Sequence, residues 1–326
     1  VSAQSSPLWP LLERALAQLY PGRRVRLVRM SAQPHVHRGF WHVEAHLSPT
    51  HEQLAFAVLV LDREGTDRAA PERYAAVAAN ALPAPVLLAT AADPDRLVLL
   101  FQVPQGTNLD DELRRAAAPW RVSAAAISLA RFFARLHSTP VHAFEPITTL
   151  RPALPTDEQR LSQLAAMAHD FDDPLRSSVE RALDWIDQEL DHSPALVPTV
   201  GCLRLPTLYE DSGEIATAFC WEHLALRPAA VDLACLLPEL RFLPAEGRAH
   251  FLAVCLAAYA DVAPVAIDDV APRALLDLIE RVLIVQSARA SAATTSRDRA
   301  PDQETVAFLD RAMRAARDGL PALALL

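Results

Sequence analysis

No lysine occurs among the 326 residues, so arginine accounts for all 31 basic side chains. Every mechanism that needs an ε-amine is excluded, whether a Schiff base or a lysine gripping phosphate oxygens. Glycine is nearly as scarce: the eight that occur lie too far apart to build a glycine-rich phosphate loop. The four cysteines, Cys202, Cys220, Cys235 and Cys255, form no CxxC pair and are too few for a secreted disulfide framework, so reduced thiols are expected. No apolar run approaches the 18 residues of a membrane span. The first residues, VSAQSSPLWPLLERAL, lack the basic start and unbroken apolar core of a secretion signal. A soluble, cytoplasmic protein without membrane association is expected. A net charge of -9 removes the broad basic footprint that phosphate backbones require, and nucleic acid is not an expected partner.

What is present suffices for a folded protein. Hydrophobic residues make up 51% and charged residues 22%, which rules out wholesale disorder. The length is about twice that of an average domain of roughly 150 residues, so one large or two coupled domains are expected. Leu8, Leu11, Leu12, Leu16 and Leu19 recur at helical spacing. Strand-like stretches follow at 25–30, 39–47 and 54–61, the last (LAFAVLVL) continuously apolar as a central strand would be. An alanine-rich helix at 69–80 and two further strands, LPAPVLLAT and RLVLLFQV, complete an α+β region. From Asp110 onward the apolar period is helical nearly throughout, with helices at 122–137, 157–170, 174–190, 244–260, 270–290 and 303–318. The polar stretch 291–305 reads as a mobile loop.

Several phrases carry a resemblance. LPAPVLLAT at 82–90, LVLLFQVPQGTNL at 97–109, LARFFARLHSTP at 129–140 and above all VGCLRLPTLYEDSGEIATAFCWEHLALRPAAVDLACLL at 200–237 are similar to the aminoglycoside phosphotransferase and choline kinase-like family. The resemblance implies an α+β, protein-kinase-like two-lobe fold. A small five-stranded N-terminal lobe would span 1–105, and a larger, mainly helical lobe 106–326 would hold the catalytic region at 200–234.

Position by position, the same resemblance implies a degenerate member, a pseudokinase. Where the family has the aspartate of its HGD motif as proton acceptor, this chain has Cys202. The metal-binding asparagine falls on Thr207, and the metal-binding aspartate falls on Cys220, ahead of Trp221 and Glu222. Glu72 matches the helix glutamate that pairs with a strand lysine, yet the strand offers Leu59, Val60, Leu61 and Asp62. Asp232 matches a structural aspartate behind the catalytic loop. Glu72 and Asp232 are thus structural remnants, and neither a bound cofactor nor a metal is expected. Losing a general base alone costs roughly 10²–10⁴-fold in rate, and phosphoryl transfer depends almost wholly on positioning and charge neutralisation.

The residues leave alternatives open. Cys202, Thr207, Cys220, Glu222 and His223 would share one cleft. There they could form a zinc site or a thiol nucleophile with its base, or the thiols could merely fill space left by lost carboxylates. His35, His37, Arg38 and Trp41 form a candidate partner surface. On a strand, His42, Glu44 and His46 share one face, a pattern that fits either a metal or an exposed hairpin. Arg204, Arg227 and Arg241 could clamp a carboxylate or phosphate. The expected function is binding or assembly with a protein or peptide, in bacterial natural-product modification of ribosomal peptides. Two rivals are a repurposed enzyme performing non-phosphoryl chemistry, such as thioether ring closure, and an unorthodox small-molecule kinase.

Overall fold

A computed structural model describes residues 8–33, 39–50, 52–62, 69–116, 118–144, 156–191, 193–201, 203–263, 267–292 and 303–326. Its contacts divide the chain into two compact units. The first comprises Val1–Ala117, Thr139–Arg151 and Cys202–Leu224, and the second Ala118–Ser138, Pro152–Gly201 and Ala225–Leu326. This differs from a boundary at 105/106, because segment 202–224 clusters with the N-terminal sheet. The cause is strand pairing and ring packing between residues distant in sequence.

In the first unit, α1 (Trp9–Leu19) precedes β1 (Arg24–Ala32), β2 (Phe40–Ser48) and β3 (Glu52–Asp62). α2 (Ala70–Ala79) then leads to β4 (Leu87–Ala92) and β5 (Arg96–Gln102). The five strands pair antiparallel in the order β1-β2-β3-β5-β4. LPAPVLLAT becomes strand only from Leu87, since proline lacks the amide a ladder needs. Leu11, Leu12, Ala15 and Leu16 of α1 bury themselves against Val43, Ala45, Phe56, Val58, Val98 and Leu100 on one sheet face. Ala57, Leu59 and Phe101 alternate to the opposite face and are buried as well. β3 is therefore covered on both sides, which explains its unbroken apolar run.

The remaining elements of this unit are β6 (Thr107–Asn108), α3 (Leu109–Arg115), β8 (Leu208–Asp211) and β9 (Glu214–Ala218). The three strands form a sheet in the order β6-β8-β9, and this pairing draws 202–224 to the N-terminal part. Asn108 caps α3, its side chain accepting from the Asp111 amide at 3.3 Å. Acids fill the first turn and arginines the last, as the helix dipole favours.

The second unit holds α4 (Pro119–His137), α5 (Asp157–Ala168), α6 (Asp173–Glu189) and β7 (Leu196–Thr199). β10 (Ala225–Pro228), α7 (Ala230–Ala234), α8 (Leu236–Glu239), α9 (Ala245–Ala260), α10 (Val270–Ala292), α11 (Gln303–Arg317) and α12 (Leu320–Leu323) follow. α4 is buried around most of its circumference, as its apolar composition requires. α5 begins with a capping box between Thr156 and Gln159. Arg160 of α5 bonds Asp277 and Glu280 of α10, each at 2.6 Å, and Arg273 of α10 returns to Asp157 at 2.7 Å. Of the stretch 291–305, residues 291–292 end α10 and 303–305 begin α11, and the rest lies outside the described residues. Among the described residues no helix is long and apolar enough to cross a membrane.

Leu12 is fully buried beneath the sheet. Leu12→Ala is expected to lower the unfolding free energy by about 2–5 kcal/mol. Urea titration followed by circular dichroism checks this, and a loss below about 1 kcal/mol would contradict the packing of α1.

Candidate functional site

A tight hairpin assembles the first part of the site. Ser212 and Gly213 between β8 and β9 both have positive φ, at 55° and 84°, the geometry of a type I′ turn. Its register sets Leu208 opposite Ala218, and the Phe219 amide donates to the Thr207 carbonyl at 3.0 Å. Thr207 and Cys220, 13 residues apart, are thereby neighbours, with Oγ1 and Sγ 3.4 Å apart. These are the two positions at which the family resemblance expects metal ligands. Both side chains are 3% exposed. The Thr207 hydroxyl also donates to the Arg204 carbonyl at 2.6 Å.

The chain then turns sharply. Cys220 adopts φ 125°, a conformation rare for a residue with a side chain, and Trp221–His223 form a single 3-10 turn. α2 packs on this turn. Tyr74 donates its hydroxyl to Glu222 Oε2 at 2.9 Å and accepts from the Cys220 amide at 3.4 Å. Arg73 bonds the Glu222 carbonyl oxygen. Burial pushes the Tyr74 phenol well above its ordinary range, and the Glu222 carboxylate and Cys220 thiol push it the same way. A buried carboxylate needs such partners, because an uncompensated one would cost several kcal/mol. His223 stands at the surface, its Nε2 3.7 Å from Glu222 Oε1.

Glu72 lies exposed on the first turn of α2, so the residues facing the turn are the next two, Arg73 and Tyr74. The sequence reading passed over both. An arginine and a tyrosine beside a glutamate raise no motif, and an alanine-rich helix hides which face is inward. Of Leu59, Val60, Leu61 and Asp62, the strand residues near the position expected for a lysine, Leu59 and Leu61 are buried. Phe219 lies on the same side of the sheet, with ring centroids 4.9 Å from Phe40 and 5.5 Å from Phe101.

The donor set of Thr207 and Cys220 does not suit magnesium. Magnesium requires hard oxygen ligands in a near-octahedral arrangement, whereas one position here offers sulfur and the other a hydroxyl already bonded to a carbonyl. Among the described residues no group of three or more His, Cys, Asp or Glu could hold a metal ion. Cys202 lies outside the described residues, as do His35, His37 and Arg38. Trp41 is half-buried and packs against the cluster between α1 and the sheet. His42 and Glu44 share the other face at 3.9 Å, with His46 alongside.

In the second unit, Asp232 is fully buried and organises the loop after β7. Its carboxylate accepts from the amides of Val200, at 3.0 Å, and Gly201. His137 of α4 bridges it to Tyr259 of α9, with Nε2 3.0 Å from Asp232 and Nδ1 2.7 Å from the Tyr259 hydroxyl. These bonds tie the loop after β7 to α7, α4 and α9. Cys255 is buried in the same unit, and desolvation pushes its thiol from 9.0 up to about 12, which makes it inert.

No family model matches the chain, and no curated protein matches it either. Solved structures do. A Ralstonia eutropha protein carrying an aminoglycoside phosphotransferase assignment is 14% identical, with TM-score 0.61 over 97% of this chain and 98% of its own. Macrolide 2′-phosphotransferase MphH from Brachybacterium faecium is 18% identical, with TM-score 0.56 over 93% and 98%. Aminoglycoside 2′-phosphotransferase-IIIa, solved as the GDP complex of a point mutant, is 12% identical, with TM-score 0.57 over 94% and 96%. At these identities the likeness is one of fold: the chain has the α+β, kinase-like architecture of the aminoglycoside and macrolide phosphotransferases.

Tyr74→Phe is expected to cost about 1–3 kcal/mol, since it leaves Glu222 without its hydroxyl donor, and Tyr74→Ala more; denaturant unfolding checks the order. Tyr74 and Cys255 both bind their protons more tightly folded than unfolded. The stability they contribute is full below their ordinary values and is lost as pH rises through the raised ones. Unfolding free energy should therefore fall above about pH 9, by roughly 1.4 kcal/mol per pH unit for each group titrating. Cys255→Ala should flatten that slope, and a slope unchanged by the substitution would contradict the assignment.

Proposed function

We propose that this chain is a phosphotransferase-fold protein that has exchanged phosphoryl transfer for binding, holding a peptide or small molecule, or a protein partner, for chemistry performed elsewhere. The observation that carries the reading is the contact of Thr207 with Cys220, which places a hydroxyl and a thiol where the family resemblance expects two metal ligands. The complete absence of lysine supports it, because charge neutralisation is the larger part of phosphoryl-transfer catalysis. So does the network of Arg73, Tyr74 and Glu222, which satisfies the turn with protein groups and needs no metal.

A thiol-based activity gains less support. Cys220 is buried, and a nucleophile must meet both its substrate and its base. Holding a ribosomal peptide for a separate modifying enzyme is the setting we favour, since that task needs a shaped site and no metal.

Calorimetric titration with magnesium-ATP, paired with a turnover assay, tests the reading. We expect no saturable heat, no ATP hydrolysis and no change in melting temperature on adding EDTA. Micromolar ATP affinity with measurable turnover would overturn it.

A further inference from the structure

α5, α7, α10 and the strands β7 and β10 surround a cavity of about 670 Å³ lying wholly in the second unit. That size suits a ligand of a few hundred daltons. Its wall carries charge of both signs, in different states of engagement. Arg160 is bonded to Asp277 and Glu280, and Arg273 to Asp157 and Asp269, so these charges largely satisfy one another. Glu158 of α5 and Asp191, ahead of β7, line the cavity and make no ion pair among the described residues.

Arg227 of β10 lies against the backbone of Gly201. That residue has φ +67°, and a Cβ there would overlap the guanidinium, so glycine is what admits the arginine to this wall. A guanidinium carries five N–H donors in a rigid fork matched to a carboxylate, and it can serve a ligand oxygen alongside a contact within the protein. Cys235, at the end of α7, closes the same wall, its Sγ 3.5 Å from the Gly201 carbonyl.

We infer that this cavity binds a compact zwitterion of the amino-acid and short-peptide kind, its carboxylate on Arg227 and its ammonium groups toward Glu158 and Asp191. The inference rests on the reading of the chain as a binding protein and names the ligand class. A ligand with amines alone would set positive charge against Arg227, and one with carboxylates alone would meet a wall of five carboxylates and three guanidinium groups. A zwitterion satisfies both ends.

Isothermal titration of the intact chain with the free-acid tripeptide Lys-Ala-Ala, its C-terminal amide, free lysine and spermidine decides the matter. We expect saturable binding of the free-acid tripeptide or of lysine at or below roughly 1 mM, whichever binds tighter distinguishing a peptide from an amino acid as ligand. Amidation should weaken binding about tenfold, as loss of a charge-assisted pair requires. Arg227→Gln should abolish the preference for acid over amide. Glu158→Gln, at an exposed position, should weaken both forms several-fold. Should Arg227→Gln fail to fold, the acid-to-amide ratio on the native chain and the Glu158 variant carry the test.

Equal binding of acid and amide, spermidine binding as tightly as the zwitterion, or no saturable binding at roughly millimolar concentration would overturn the inference. ATP turnover measured on the same sample keeps the two readings apart. Turnover alongside binding of the tripeptide or lysine sinks the loss of catalysis and leaves the cavity's ligand class standing, and the absence of turnover together with no binding of either zwitterion sinks the cavity assignment alone.

Discussion

A carboxylate removed from water must be met by donors, and in this protein two such groups are met entirely by the chain itself. Glu222 takes the phenol of Tyr74 while Arg73 holds its backbone carbonyl. Asp232 takes two loop amides and the imidazole of His137. Removing one partner from either group would leave a buried charge or acceptor unsatisfied, which costs more than the bond itself contributes. The elements that supply these donors are therefore pinned: α2 to the turn after β9 in the first unit, and α4 and α9 to the loop after β7 in the second.

That constraint holds the turn after β9 and the loop after β7 in place with protein groups. A metal ion normally justifies clustered acids in such a site. At Thr207 and Cys220, where the family resemblance expects an asparagine and an aspartate, a hydroxyl and a thiol contact each other, and the neighbouring acid Glu222 has protein donors. The rings of Phe40, Phe101 and Phe219 cover the sheet face beside Leu59, adding apolar contact where a charged side chain would have demanded a partner.

Much of the architecture was legible in the amino acids. Periodicity located α1, the five strands, α2 and the long helices, because a side chain's inward or outward direction repeats with the backbone. The family resemblance put Thr207 and Cys220 in one cleft, and the register of the β8–β9 hairpin is what brings them into contact. Register on α2 was less legible. The family resemblance picked out Glu72, yet the helix turns it outward and gives the buried positions to Arg73 and Tyr74. Trp41 was grouped with its sequence neighbours, and the pleat directs it to the α1 side. Cys235 attracted no notice because its importance lies in what it stands beside.

The amino acids by themselves determined the inventory of chemistry: no ε-amine, no glycine-rich turn, no acid at positions 202, 207 and 220, and enough apolar surface to fold around what remains. These are properties of composition and order, and no arrangement in space can supply a missing functional group. Tertiary structure decided which groups touch. It brought Tyr74 to Glu222 across 148 positions of sequence, and it gathered residues from Thr156 to Glu280 around one cavity. Such proximity depends on how helices and strands rotate and pack, an outcome of burial summed over the whole core that no local window of sequence contains.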